Sequence, residues 1–330
     1  MKERTNSCLP PLAVIDVGTN TIRLLIGWVK NGKLVRLASD RAVTRLGKDL
    51  LTTGALHKES IDKSIATLVN FKEKCDKHGV LYILAVGTSA LRNANNSAEF
   101  ISNIKDQTGI RIQIISGSRE AELTFKGIVG YYNDKEPLLP PLFITDIGGG
   151  STEWIFYANT GTHDKKLVMD SMQIGAVRLF ESFFKNDSLT AEELGKANSY
   201  ISEEVYRSLL KHNINPSIDT IKIEHLVATG GTATTLASID LNLDKYDADK
   251  VHLHKIPRPA LHMLFERLSA LPLNQRDSIK GLEHGRADII IPGTLILMVI
   301  MEILKVDEVV ISDYGLMEGM LADSYNFQMV

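Results

Sequence analysis

The chain has 330 residues, 44% of them hydrophobic and 23% charged, with a formal net charge of -3. That length exceeds what one hydrophobic core usually fills, so two domains are expected. The slight negative charge excludes a global field that would draw nucleic acid or anionic lipid, so any polyanionic partner must meet a local basic patch.

Two cysteines, Cys8 and Cys75, provide neither a disulfide framework nor a cysteine-rich metal site. Residues 1–12 lack an apolar core of signal-peptide length, and both features fit a reducing, cytoplasmic setting. The greasiest run, from Ile289, is interrupted by Pro292 and Glu302 and is shorter than the ~20 residues of a spanning helix. It reads as a buried helix, and no membrane partner is expected.

In chain order, Ala13 to Trp28 (AVIDVGTNTIRLLIGW) is an apolar strand ending in Asp16, a turn with Gly18, Thr19 and Asn20, and a second strand. A strand near Lys33 to Ala38 follows. From His57 to Asp76, Ile61, Ile65, Leu68 and Cys75 recur at helical spacing. Val80 to Val86 is an apolar strand passing into Thr88, Ser89 and a helix, with Arg92 about one turn on. A helix N-terminus attracts anions and a guanidinium binds them bidentately, although a capped helix with an exposed arginine explains this segment equally well. Arg111 to Ser116 reads as a strand leading into a helix whose first turn carries Glu120 and Glu122. Ser118 is its expected N-cap, and the macrodipole is expected to lower both carboxyl pKa values. Asn133 to Pro141 (NDKEPLLPP) reads as the connection between lobes spanning 1–136 and 137–330.

The second lobe opens with Asp146 to Tyr157, DIGGGSTEWIFY. Three successive glycines cost backbone entropy, which suggests that something approaches the main chain there. Bare N–H groups of Gly148, Gly149 and Gly150, with the hydroxyls of Ser151 and Thr152, suit a phosphate. Asp146 and Glu153 offer oxygen ligands for a hard divalent cation. The alternative is a tight hairpin in which the glycines only satisfy geometry. Asp-Ile-Gly-Gly-Gly-Ser matches Asp-Val-Gly-Thr-Asn-Thr 130 positions earlier. That repeat points to two similar domains face to face, each contributing a phosphate-holding hairpin.

A strand from about Lys166 to Gln173 leads to Gly175 and Arg178 at a strand-to-helix junction. Thr190 and Glu193 form a capping box for a helix reaching about Leu210. Gly230 and Gly231 turn a third apolar strand into a helix, as phosphate-contacting backbones do. A helix from Pro259 to Leu271, the strand EVVIS and a final helix at about 314–325 complete the chain, with Pro292 expected to end or kink a helix. The His163-Asp164 pair reads as surface, and His252 and His254, alone in a loop, are not expected to hold a metal.

Taken together, AVIDVGTNTIRLL, VGTSALRNA, IISGSREAEL, DIGGGSTE, IGAVRL, VATGGTATTLA, GRADII and YGLMEGML resemble the exopolyphosphatase / guanosine pentaphosphate phosphohydrolase family of the actin, sugar-kinase and Hsp70 superfamily, from Ala13 to Leu321. The resemblance implies an α/β fold of two ribonuclease H-like, actin-like lobes around a cleft, the final helix packing back on the first lobe. It implies Mg²⁺-dependent removal of terminal phosphate from polyphosphate, with guanosine pentaphosphate a second substrate and a link to the stringent response. Asp16, Asp146 and Glu153 would sit at the metal and phosphate centre. Thr19, Asn20, Gly148, Gly149, Gly150 and Ser151 would bond phosphates, joined by Ser89, Gly230 and Gly231. Glu120 would be the general base, and Arg92, with Arg23 and Arg286, would pair with outer phosphates.

Two departures stand out. Ser118 and Arg119 precede Glu120 where relatives often carry acidic residues, which makes Glu122 a fallback base. The sequence also ends at Val330, before the helical domain of longer members. Two competing functions follow: a binding protein or sensor for guanosine tetraphosphate or polyphosphate, and an ATP-dependent kinase using the VATGGTATTLA turn. Nucleic acid is not an expected partner, and a homodimer is left open.

Overall fold

The computed structural model describes residues 10–30, 33–130, 141–159, 165–184, 189–216 and 223–328. Cys8, most of the expected inter-lobe connection (133–140) and His163-Asp164 lie outside them. The first half runs β1 (Leu12–Val17), β2 (Thr21–Lys30), β3 (Lys33–Val43), α1 (Leu50–Thr53), α2 (Lys58–Lys77), β4 (Tyr82–Gly87), α3 (Ser89–Asn93), α4 (Ser97–Thr108), β5 (Ile112–Ile114) and α5 (Gly117–Val129). The second runs β6 (Leu142–Ile147), β7 (Thr152–Asn159), β8 (Lys165–Met172), α6 (Ala176–Phe183), α7 (Ala191–Lys211), β9 (His225–Thr229) and α8 (Gly230–Asp240). It continues with α9 (Ala248–Val251), β10 (Lys255–Pro257), α10 (Arg258–Ser269), α11 (Leu273–Arg276), α12 (Ile290–Leu304), β11 (Glu308–Ile311) and α13 (Leu316–Gln328).

The strands form two sheets, β3-β2-β1-β4-β5 and β10-β11-β9-β6-β7-β8. Within each, three antiparallel strands (β1 to β3, β6 to β8) are followed by parallel additions (β4 and β5, β9 and β11). The repeat seen between Asp16 and Asp146 is therefore a repeat of whole lobes, and the fold is α/β with two like sheets.

Side-chain alternation assigns the faces. In β1, Ala13, Ile15 and Val17 join a core with Leu68 and Phe71 of α2 and Phe100 and Ile104 of α4. Leu12 and Val14 point the other way, onto Leu316, Met320 and Leu321 of α13. In β6, Phe143 and Ile147 enter the larger core, whereas Leu142 and Ile144 meet Ala121 and Ile128 of α5. The inner helices are thus exchanged: α5 from the first half covers the second sheet, and α13 from the second half covers the first. Asp16 shares its face with Val14, and Asp146 shares its face with Ile144, so both carboxylates reach the inner faces.

Where α5 and α13 cross, backbone meets backbone. A Cβ on Gly127 would lie 1.9 Å from the Gly315 carbonyl oxygen, and one on Gly319 would lie 1.8 Å from that of Leu123. Each buried leucine or methionine of α13 contributes roughly 1.5–3 kcal/mol by leaving water. The half-exposed pairs of Asp323 with Arg119 and Lys126 on the rim contribute about 0–1 kcal/mol each, so burial holds the helix.

Two local expectations are corrected. Ser116, not Ser118, caps α5: its backbone is extended and its Oγ accepts the Arg119 N–H at 3.2 Å, while Ser118 is already helical. Pro292 breaks nothing, because it sits in the first turn of α12, where its missing N–H has no intrahelical partner to lose. The Thr190 and Glu193 capping box is present as expected. Among the described residues, no helix is long and apolar enough to cross a membrane.

Candidate active site

The two hairpin turns repeat one another in detail. The Gly18 N–H donates to the Thr21 carbonyl at 3.2 Å, and the Gly148 N–H donates to that of Ser151 at 3.0 Å. Strand register then sets Asp16 opposite Arg23 and Asp146 opposite Glu153. Between the turns lies a cleft of about 520 Å³. Every residue expected at the site walls this cleft except Arg92, Glu153 and Thr152: Arg92 and Glu153 stand just behind it, and the buried Thr152 hydroxyl is turned to the Ile174 carbonyl, to which it donates at 2.7 Å.

Asp16 Oδ2 accepts from Arg23 Nη2 at 2.7 Å and Nε at 3.0 Å, whereas its buried Oδ1 has no hydrogen-bond partner among the described residues. Asp146 is also buried, and burial raises its carboxyl pKa against the pull of Arg23. Glu153 is 1% exposed and accepts from Ser171 Oγ at 2.7 Å. Burial first, and the Asp146 charge second, push its carboxyl pKa up. Among the described residues, no three His, Cys, Asp or Glu side chains converge as a metal-ligand set. An all-oxygen site with an unpartnered Asp16 Oδ1 fits an ion held by one or two carboxylates, with substrate phosphate and water completing its shell, which is the habit of Mg²⁺.

The glycines have a steric reason. A Cβ on Gly150 would sit 2.6 Å from Ser89 Oγ and 2.8 Å from Thr19 Oγ1, so the second hairpin closes directly against the first lobe. Gly230 has φ +88°, and a Cβ there would lie 2.4 Å from Asp146 Oδ1. Gly231 lies under Arg286, whose Nη2 donates to Thr21 Oγ1 at 3.3 Å across the cleft.

Glu120, 7% exposed, enters the cleft from the first turn of α5. Its Oε2 accepts from Arg92 Nη1 at 2.7 Å; the same nitrogen donates to the Ile115 carbonyl at 2.9 Å, and Nη2 reaches Ser151 Oγ at 3.4 Å. Arg92 therefore ties the end of β5, the base of α5 and the second hairpin together. Burial, and then the Glu153 charge, push the Glu120 carboxyl well above its usual range, while Arg92 acts the other way. The expected macrodipole lowering is overridden here, since that effect is worth about 0.3–1 kcal/mol near a surface and desolvation exceeds it. Glu122 is lowered, but by its bonds to Lys126 and Arg119. It lies on the side of α5 facing Asp323, away from the cleft, and Arg119 is turned the same way. That removes the structural basis for Glu122 as a fallback base.

The outer end of the cleft was not foreseen. It is walled by Ser39, Arg36 and Arg41 of β3 and by Tyr246, Asp313 and Glu318. Arg41 Nε bonds Glu283 at 2.8 Å, and Arg36 bonds Asp313 at 2.5 Å and Glu318 at 2.9 Å. By strict alternation Arg36 and Arg41 fall on opposite faces of the strand; a register shift between Ile26 and Gly27, which leaves Leu37 without a cross-strand partner, brings both to the cleft face, and nothing in the sequence marks that bulge.

A family model described as the Ppx/GppA phosphatase family matches residues 25–327. Exopolyphosphatase 2 of Mycobacterium tuberculosis is 30% identical over 327 residues, covering 94% of this chain and 97% of that protein. A bifunctional 3-dehydroquinate synthase/phosphatase of Fusobacterium nucleatum is 31% identical over 94% of this chain, which spans only 46% of that longer relative. Among solved structures, the Ppx/GppA family member of Aquifex aeolicus superposes with a TM-score of 0.77 at 29% identity, covering 96% of this chain and 98% of that one. With the family model spanning most of its length and the fold shared along almost the whole of both chains, the chain belongs to the Ppx/GppA phosphatase family.

Proposed function

We propose that the protein is an Mg²⁺-dependent exopolyphosphatase, with Glu120 as general base. The observation that carries this is the buried Glu120 carboxylate, fixed by Arg92, facing a cleft between two matched hairpin turns. The relative named exopolyphosphatase 2, aligned along almost its full length, supports it.

Phosphoryl transfer asks the protein chiefly for positioning and charge neutralisation. In the proposed reaction, the backbone N–H groups of Gly148 to Gly150 and the hydroxyls of Thr19 and Ser151 hold the terminal phosphoryl group. Arg92 orients Glu120, which takes a proton from water as the water oxygen bonds phosphorus. The bridging P–O bond breaks, giving orthophosphate and a chain shorter by one unit. Asp16 and Asp146 would hold Mg²⁺, which supplies further charge neutralisation when bound.

Guanosine pentaphosphate presents the same terminal anhydride and is the proposed second substrate, and the two-cysteine composition supports a cytoplasmic setting. The test is phosphate release from polyphosphate and guanosine pentaphosphate with Mg²⁺, beside Glu120→Gln. Release from polyphosphate that Glu120→Gln abolishes is expected. Absence of release from either substrate, with tight binding, would favour a sensor instead.

A further inference from the structure

The cleft does not end at the paired hairpins. It continues along β2 and β3, and that extension is built of arginines. Asp16, Arg23 and Arg41 are successive cross-strand partners in one row over β1, β2 and β3. Like charges directly opposite each other destabilise a sheet by about 0.2–1 kcal/mol, and partly exposed ion pairs return about as much, so stability alone gives no reason for the row. Both Arg41 and Arg36 are accessible, with side chains 35% and 29% exposed. Each guanidinium carbon lies over an aromatic ring, that of Arg41 at 4.4 Å from the Tyr246 centroid and that of Arg36 at 4.5 Å from that of Tyr314. A cation over a ring face is attracted by the ring while its N–H groups remain free to bond, and here they bond carboxylates of the second lobe: Glu283 for Arg41, Asp313 and Glu318 for Arg36.

We propose that Arg41 and Arg36 form a distal phosphate subsite, which gives the cleft a preference for a chain of phosphates over a short one. This rests on the polyphosphate reading above. A phosphate oxygen bonds a guanidinium in the same geometry as a carboxylate oxygen, and the Arg41 ion pair with Glu283 is made through Nε, which leaves its Nη groups for a phosphate. With neighbouring strands about 4.8 Å apart, Arg41 lies roughly 10 Å from Asp16 across the sheet. A chain bound at its end by the hairpins therefore meets Arg41 several units further on, and a short substrate does not reach it.

The test compares long-chain polyphosphate with tripolyphosphate, in two formats. Binding is measured to the Glu120→Gln protein with and without Arg41→Gln or Arg36→Gln, and kcat/KM is measured in the parent background. Arg41→Gln is expected to weaken long-chain binding about tenfold, the effect of one charge-assisted contact, and tripolyphosphate binding much less. Arg41→Lys, which keeps the charge but loses the fork, should lie between, and it carries the comparison if Arg41→Gln does not fold. Arg258→Gln, which removes an exposed arginine outside the cleft, should leave the long-to-short ratio alone. Equal weakening of both substrates, or of neither, overturns the subsite. A parent protein that binds polyphosphate but releases no phosphate defeats the hydrolase reading instead, and the binding comparison still decides the subsite.

Discussion

Gly127→Ala tests how the α5–α13 crossing supports Glu120. The added Cβ would lie 1.9 Å from the Gly315 carbonyl oxygen and 2.7 Å from the Gly319 nitrogen. Both neighbours are backbone, so no side chain can rotate away and the helices must part by about an ångström. Overpacking of this kind costs about 1–3 kcal/mol, and rigid neighbours put it near the top of that range. At ~2.1 cal/mol/K of unfolding entropy per residue, a loss of about 3 kcal/mol lowers Tm by about 4 °C if the chain unfolds as one unit. Glu120 lies on the same helix two turns away, so its carboxylate moves with α5, and kcat should fall about tenfold or more. Gly195→Ala provides the contrast. A Cβ there meets nothing within 4 Å, and in the interior of α7 alanine should gain about 0.5–1 kcal/mol with activity unaffected. Thermal unfolding and phosphate release on both variants decide the matter. A Gly127→Ala protein with parental Tm and kcat would refute the close crossing.

Three further outcomes are expected. The kcat/KM profile should lose activity on its acid side well above pH 4.5, because Glu120 accepts a proton only when ionised and its pKa is raised by burial; Arg92→Ala, which removes an opposing charge, should move that limb higher still. A limb at ordinary carboxylate pH, or one displaced downward by Arg92→Ala, would contradict this. The same raised pKa means that Glu120's contribution to stability is fully present below its unfolded value near 4.5 and is lost as pH rises through the folded value, so Glu120→Gln should flatten that part of the stability curve in denaturant titrations. Gly230→Ala combines a φ of +88° with a contact on Asp146, and should lower both Tm and Mg²⁺ affinity measured by calorimetry; unchanged affinity would separate Asp146 from the metal.

Most strands and the paired hairpins were legible in the sequence because they rest on local signals: apolar runs, Asp-Gly turns and a repeat at matched offsets. The cleft's inner wall followed from the same motifs. What escaped depends on tertiary context. Ser116 and Ser118 are equally good caps by type, and only the chain's approach from β5 selects Ser116. The Glu120 pKa direction was misjudged because helix position is readable from sequence while burial among Glu153 and Arg92 is not. Arg36 and Arg41 belong to no motif in the sequence, and only the folded chain brings Tyr246, Glu283 and Asp313 against them. Likewise, the exchange of α5 and α13 between sheets is written in two glycine contacts more than 180 residues apart in the chain.

The central claim is that Glu120 activates water for attack on a terminal phosphate. Single-turnover phosphate release from polyphosphate, with Mg²⁺ present and enzyme in excess, tests it most directly in the parent, Glu120→Gln and Glu122→Gln proteins. The account expects Glu120→Gln to lose about 10²–10⁴-fold in rate while still binding polyphosphate, and Glu122→Gln to retain parental rate. Full activity in Glu120→Gln, or its loss in Glu122→Gln with the fold intact, would contradict it.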